Sequence, residues 1–318
     1  MKLLLTAVLT GAVCVAYQLW LNPEIRFFSK LAALQDSWSQ RMDREHDSKV
    51  VVFGGSSCMF SINGEQLLKE YGLPAVNRGL AAGMGIKVPA LNAMLDLRAG
   101  DTLIVALEPG SLTSPAGLPA MATEFSYVRG HSEWVTRPAL GLPGSGWATS
   151  LLALRPGSYH ALTLIVKLIQ GRTLYRYEVG DASPSGWMRT DARAPLSGPP
   201  GHGPYLSEDA QRFLSALKDW CSEKHVRVAY SLPWAYAPTD QAEQFRKGNA
   251  DILIQIAKFI PVLKGPSLGA DTEPGHFADT AWHLNEQGSR LRTDELGQAL
   301  KHWDLWSVQE LQFLKATR

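Results

Sequence analysis

The sequence predicts an α/β fold built on a mainly parallel sheet with helices on both faces, a three-layer α/β/α sandwich. Three observations carry this. The stretch Lys49-Val50-Val51-Val52-Phe53-Gly54-Gly55-Ser56-Ser57-Cys58 begins as an unbroken apolar, β-branched run and stops at two glycines and two serines. Such runs read as strands buried on both faces. Comparable runs recur at Ala75-Val76-Asn77, Thr102–Leu107 and Val226–Pro233. Stretches of helical period separate them, which is the alternation that parallel βαβ units require.

A chain of 318 residues, 45% hydrophobic and 19% charged, suits one large domain carrying an insertion. A formal net charge of +1, with no long basic run interleaved with aromatics, gives no argument for nucleic acid. Cys14, Cys58 and Cys221 are too few for a disulfide framework and show no metal spacing, so neither a metal nor a cofactor is expected.

Residues 1–21 carry one charge, Lys2, and continue as a nearly unbroken apolar run. That is just long enough for a membrane anchor of ~20 residues. A cleavable signal peptide is the rival reading, with Cys14-Val15-Ala16 as a poor small-residue site. The run continues past Ala16, which favours an anchor with the body outside the cytoplasm, periplasmic or on the cell surface. Residues 22–47 predict a linker helix, because Ile25, Phe28, Leu31, Leu34 and Trp38 recur at helical spacing. It packs either on the domain or on a membrane partner.

Residues 48–318 form the main domain. Gln66–Tyr71 reads as a helix closed by Gly72, and a further helix is expected over Lys87–Leu97. Residues 111–204 are rich in Gly and Pro, as at Ser197-Gly198-Pro199-Pro200-Gly201, and predict an insertion capping the site. Its aromatics, among them Tyr159, Tyr175, Tyr177 and Trp187, suit core packing or a sugar-binding face. Its one clear apolar segment, Ala161–Ile169, reads as a helix. Ser207-Glu208-Asp209 starts another helix with an N-cap and an acidic first turn. Asp240–Phe259 predicts an amphipathic helix and Ile260–Leu263 a short strand. Glu286 leads into a final helix bearing Leu291, Leu296 and Trp303.

A serine at the carboxyl end of a buried strand lies where open α/β sheets bind ligands. It is a candidate nucleophile if a base and an orienting group reach it. Read without the rest of the chain, the same serines simply cap the next helix. Further on stand Asn77-Arg78-Gly79-Leu80-Ala81-Ala82-Gly83 and Phe277-Ala278-Asp279-Thr280-Ala281-Trp282-His283-Leu284-Asn285. Together with the Ser56 turn these resemble the SGNH (GDSL-like) hydrolase superfamily over residues 50–110 and 277–288. In that family a Gly-Asp-Ser stretch ends the first strand, a Gly follows the second, and an Asp and a His share a C-terminal loop.

The resemblance implies a flavodoxin-like SGNH fold, Ser56 as nucleophile, His283 as base and Asp279 as its orienter. It makes the N–H groups of Ser56 and Gly79 the oxyanion donors. Asn77 either shapes the turn or donates. Shifting the register by one residue makes Ser57 the nucleophile instead, and His276 is the runner-up base. The family's Gly-x-Asn-Asp stretch after the third strand is replaced by Leu107-Glu108-Pro109-Gly110, a Leu-Glu pair like that of some anchored relatives. Glu108 therefore lines the pocket or pairs with a buried donor. The implied activity is that of a serine esterase or O-acyltransferase on acyl, above all acetyl, esters of a cell-envelope or secreted glycan. Its partners would be the acylated carbohydrate, the membrane and a membrane-bound acyltransferase. The missing Asn supports an alternative, a non-catalytic accessory protein that binds glycan or such an acyltransferase in an export complex. A phosphate site at Gly54-Gly55 ranks last, for want of the Gly-Lys-Ser/Thr of a P-loop.

Overall fold

The computed structural model describes residues 1–154, 166–167, 169–170, 175–199 and 201–317. Most of the Ala161–Ile169 segment lies outside the described residues, as does Tyr159. Four strands, β1 (Val50–Gly54), β2 (Ala75–Asn77), β3 (Thr102–Ala106) and β4 (Arg227–Tyr230), form one parallel sheet in the order β2-β1-β3-β4. The chain is thus α/β around a parallel sheet, with β1 at an inner position, as its unbroken apolar run requires.

Alternate residues of β1 point into different cores. Val51 and Phe53 pack with Leu103 and Val105 beneath helices α5 (Lys87–Met94), α6 (Glu208–Glu223) and α7 (Thr239–Ile256). Val50 and Val52 pack with Ile104 and Ala106 beneath α3 (Ser56–Ser61), α4 (Gly64–Tyr71) and α8 (Glu286–His302). Helices therefore cover both faces. Their ends follow sequence rules: the Ser207 hydroxyl accepts from Ala210 N–H at the start of α6, and Gly72, at φ 66°, closes α4 in the left-handed conformation.

The expected strand at Ile260–Leu263 is reduced to two isolated bridges, Val262 parallel to Tyr230 and Leu263 antiparallel to Leu305. A small second sheet, β5 (Ala235–Tyr236) with β6 (Ala270–Asp271), and a closing helix α9 (Val308–Thr317) carry no comparable sequence signal. Two residues per strand are too few to show a period.

The N-terminal segment is helical, but its α-helix, α1 (Lys2–Ala16), has 15 residues and gives way to a π-helical turn over Tyr17–Leu21. Among the described residues no helix is long and apolar enough to cross a membrane. At ~1.5 Å per residue, α1 falls short of a ~30 Å hydrocarbon core.

Helix α2 (Pro23–Glu45) packs on the domain. Its Ile25, Phe28, Leu31 and Met42 are buried, and Trp38 Nε1 donates to Ala75 O of edge strand β2 at 2.8 Å. The buried Arg78 guanidinium at the end of β2 pairs with Asp36 of α2 at 2.7 Å and also with Asp96. The helix so covers a sheet edge that would otherwise stand open.

Candidate active site

The turn after β1 decides which serine is available. From Lys49 to Ile62 every residue is buried except Ser56. Ser57 is wholly buried, and its hydroxyl donates to Glu108 Oε1 at 2.6 Å. Its N–H donates to the same oxygen at 3.2 Å. The Ser56 hydroxyl makes no hydrogen bond among the described residues. The Ser57 register is thereby corrected: a hydroxyl locked under a buried carboxylate cannot meet a substrate.

Glu108 is the buried partner of this turn. A Cβ on Gly55 would stand 2.4 Å from Glu108 Oε1, so only glycine lets the carboxylate lie against the backbone there. The second oxygen, Oε2, is buried and has no hydrogen-bond partner.

Asn77 and Gly79 serve the same turn from below. Asn77 Nδ2 donates to Cys58 O at 2.9 Å and Ile62 O at 2.7 Å, fastening the carboxyl end of the short helix α3. Gly79 N–H donates to Asn77 Oδ1 at 2.8 Å, and a Cβ on Gly79 would stand 2.3 Å from Met59 N. This corrects the expected oxyanion role of Gly79. Its N–H is spent inside the turn, and the glycine is there so that β2's continuation can lie against α3. Asn77 is likewise a turn-shaping residue, fully buried, and not part of a pocket.

The base comes from a loop. Phe277 and Leu284 form an antiparallel bridge, and Ala278 N–H donates to His283 O at 2.8 Å. Between them the Thr280 hydroxyl accepts from the N–H groups of Trp282 and His283. Asp279 and His283 are thus joined by a side-chain-braced turn. Asp279 Oδ1 meets His283 Nδ1 at 2.9 Å. Nδ1 is therefore the anchored nitrogen, and Nε2 is left without a hydrogen-bond partner among the described residues.

Asp279 is held on its other side too. Its Oδ2 accepts from the Tyr177 hydroxyl at 2.9 Å and pairs with Arg176 Nη1 at 2.6 Å. Burial alone would raise the Asp279 pKa. The hydrogen bond and charge of His283, the Tyr177 bond and the Arg176 guanidinium outweigh it and bring it down to about 2. The carboxylate stays ionised and can orient an imidazole and stabilise an imidazolium.

Ser56 and His283 meet through Phe60. The imidazole packs on the Phe60 ring at 4.4 Å between centroids. Phe60 stands one helical turn after Ser56 on α3, so both share a face of that helix. No hydrogen bond joins Ser56 to His283; such contacts are often long until substrate binds. His276 forms a separate pair with Asp271 at 2.7 Å and is not drawn into this group.

Tyr177 and Arg176 escaped the sequence reading as site residues. They lie about a hundred positions before Asp279, in the stretch with the weakest pattern. The abundance of aromatics there was a signal, but it does not single out Tyr177. Among the described residues, no group of three or more His, Cys, Asp or Glu side chains could hold a metal ion. Comparison with protein-family models and with curated proteins finds no match to this chain.

Proposed function

We propose that this chain is an SGNH-like serine esterase or O-acyltransferase that works through an acyl-Ser56 intermediate. The observation that carries the reading is the Asp279–His283 pair, packed on Phe60 one helical turn from the sole accessible residue of the β1–α3 turn. In this mechanism Ser56 Oγ attacks the acyl carbonyl carbon and His283 Nε2 takes the hydroxyl proton. The tetrahedral intermediate collapses, the alkoxy group leaves with that proton, and the acyl group stays on Ser56. Water or a sugar hydroxyl then attacks the acyl-enzyme, giving its proton to Nε2, and Ser56 is released with a proton from His283. The Ser56 N–H is an oxyanion donor in this scheme. The flavodoxin-like SGNH arrangement fits the parallel order β2-β1-β3-β4 with helices on both faces.

The substrate class follows from the resemblance: an acyl, above all acetyl, ester of a cell-envelope or secreted glycan. An extracytoplasmic, membrane-associated body belongs to the same proposal, and a membrane-bound acyltransferase is the partner it suggests. Helix α1 exposes apolar side chains at Leu5, Val8, Leu9 and Val13, a face suited to such a surface.

One observation favours the accessory reading. The Gly79 N–H is already bonded to Asn77, so the second family-type oxyanion donor is spent. The two readings part on turnover. Wild-type protein and Ser56→Ala would be assayed for hydrolysis of p-nitrophenyl acetate and for acetate release from acetylated glycan. Turnover lost in Ser56→Ala is expected. Equal background rates in both would support the non-catalytic, glycan-binding role.

A further inference from the structure

Tyr177 stands between the base and the N-terminal helix. Its ring packs 5.1 Å from Phe60 and meets His283 edge to face at 6.2 Å. On the other side it lies 5.7 Å from Tyr175 and 6.3 Å from Phe27 of α2. Phe27 also packs on Tyr175 at 5.1 Å. A chain of rings therefore runs from α2 to the imidazole, and such pairs hold defined geometry.

The hydroxyl of Tyr177 is the polar end of that chain. It donates to Asp279 Oδ2 and lies 3.3 Å from His283 Nδ1. Burial, with the charge of Asp279, pushes the phenol well above its ordinary pKa, so it remains a donor. Arg176 supplies charge to the same oxygen, but its side chain is half exposed. The tyrosine, half-buried and held in a stack of rings, is the better-fixed of the two.

We propose that Tyr177 is a positioning residue for the Asp279–His283 pair, and that α2 holds it there through Phe27, so that an assembled base depends on a docked N-terminal helix. The proposal rests on the esterase reading for its catalytic consequence and on geometry alone for its structural one. With Tyr177 absent, Oδ2 keeps only the exposed Arg176, and the carboxylate can turn away from Nδ1. A hydrogen bond to a charged partner is strong enough for its loss to be felt in rate.

The test uses the full chain with histidine ring nitrogens labelled with ¹⁵N. Two quantities are read: the His283 Nδ1–H resonance, assigned with His283→Ala, and the rate at which a fluorophosphonate probe labels Ser56. Tyr177→Phe keeps the ring stack and removes only the hydroxyl. It is expected to shift or broaden the resonance and slow labelling about tenfold, with the chain still folded. Phe27→Ala, which touches neither Asp279 nor His283, is expected to move both in the same direction by less. If wild-type protein does not label but the resonance responds in both variants, the esterase reading falls and the positioning stands. A resonance unmoved by Tyr177→Phe overturns the positioning role, whatever the labelling shows. One moved by Tyr177→Phe but not by Phe27→Ala overturns the dependence on α2.

Discussion

The serine half and the base half of this site are built differently. Ser56 follows directly from the inner strand β1, and everything around it is closed: Glu108 grips Ser57, Asn77 ties off α3, and Gly55 and Gly79 let backbones touch. His283 sits on a braced loop and owes its orientation to Asp279, which is itself held by residues of a distant segment. One half is fixed by the sheet and the other by side chains reaching across the fold. The lesson is that damage to the serine half should register in stability as well as activity, while damage to the base half should register mainly in activity.

The largest expected effect lies in the serine half. Gly55→Ala drives a methyl group into the Glu108 carboxylate, and overpacking of this kind costs about 1–3 kcal/mol. Thermal or denaturant melting should show that loss together with loss of activity. A Gly55→Ala protein as stable as wild type would break the comparison.

Glu108 sharpens it. Glu108→Ala strands the buried Ser57 N–H and hydroxyl, at a cost of about 1–3 kcal/mol. Glu108→Gln keeps an acceptor for both and should lose clearly less. Denaturant midpoints of the two variants, measured side by side, check this. Equal losses would mean that the charge, and not the acceptor, holds the turn.

In the base half the comparison is tested by a pH dependence. The Asp279 carboxyl is held down at about 2 in the folded chain, against ~3.9 for an unfolded Asp. A depressed folded pKa stabilises fully above the unfolded value and is lost as pH falls through the folded one. Wild type should therefore lose this contribution between about pH 4 and pH 2. Asp279→Asn should lack it, so the difference in melting temperature between the two should narrow over that window. A constant difference would show that the pair is not ionised as described.

The same contrast governs what the sequence could reveal. β1 and its glycine–serine turn were legible because a buried strand needs an unbroken apolar run and a close backbone approach needs glycine. The Asp279–His283 pair was legible through the resemblance as two residues of one loop, but the Thr280 hydroxyl that braces that loop was not. Gly79 was misread because sequence cannot show where an N–H points. The Tyr177 contact joins residues 102 positions apart through a segment with no period, and only packing brings them together. Glu108 stood out by its place after β3, though which serine it holds did not.

The most direct measurement of the central claim is covalent. The folded chain would be treated with a fluorophosphonate probe and the adduct located by peptide mass, with Ser56→Ala and His283→Ala beside it and an active serine esterase as control. One adduct is expected, on Ser56, absent from Ser56→Ala and nearly absent from His283→Ala. No adduct on well-folded protein, or one on Ser56 that survives His283→Ala, would contradict the claim.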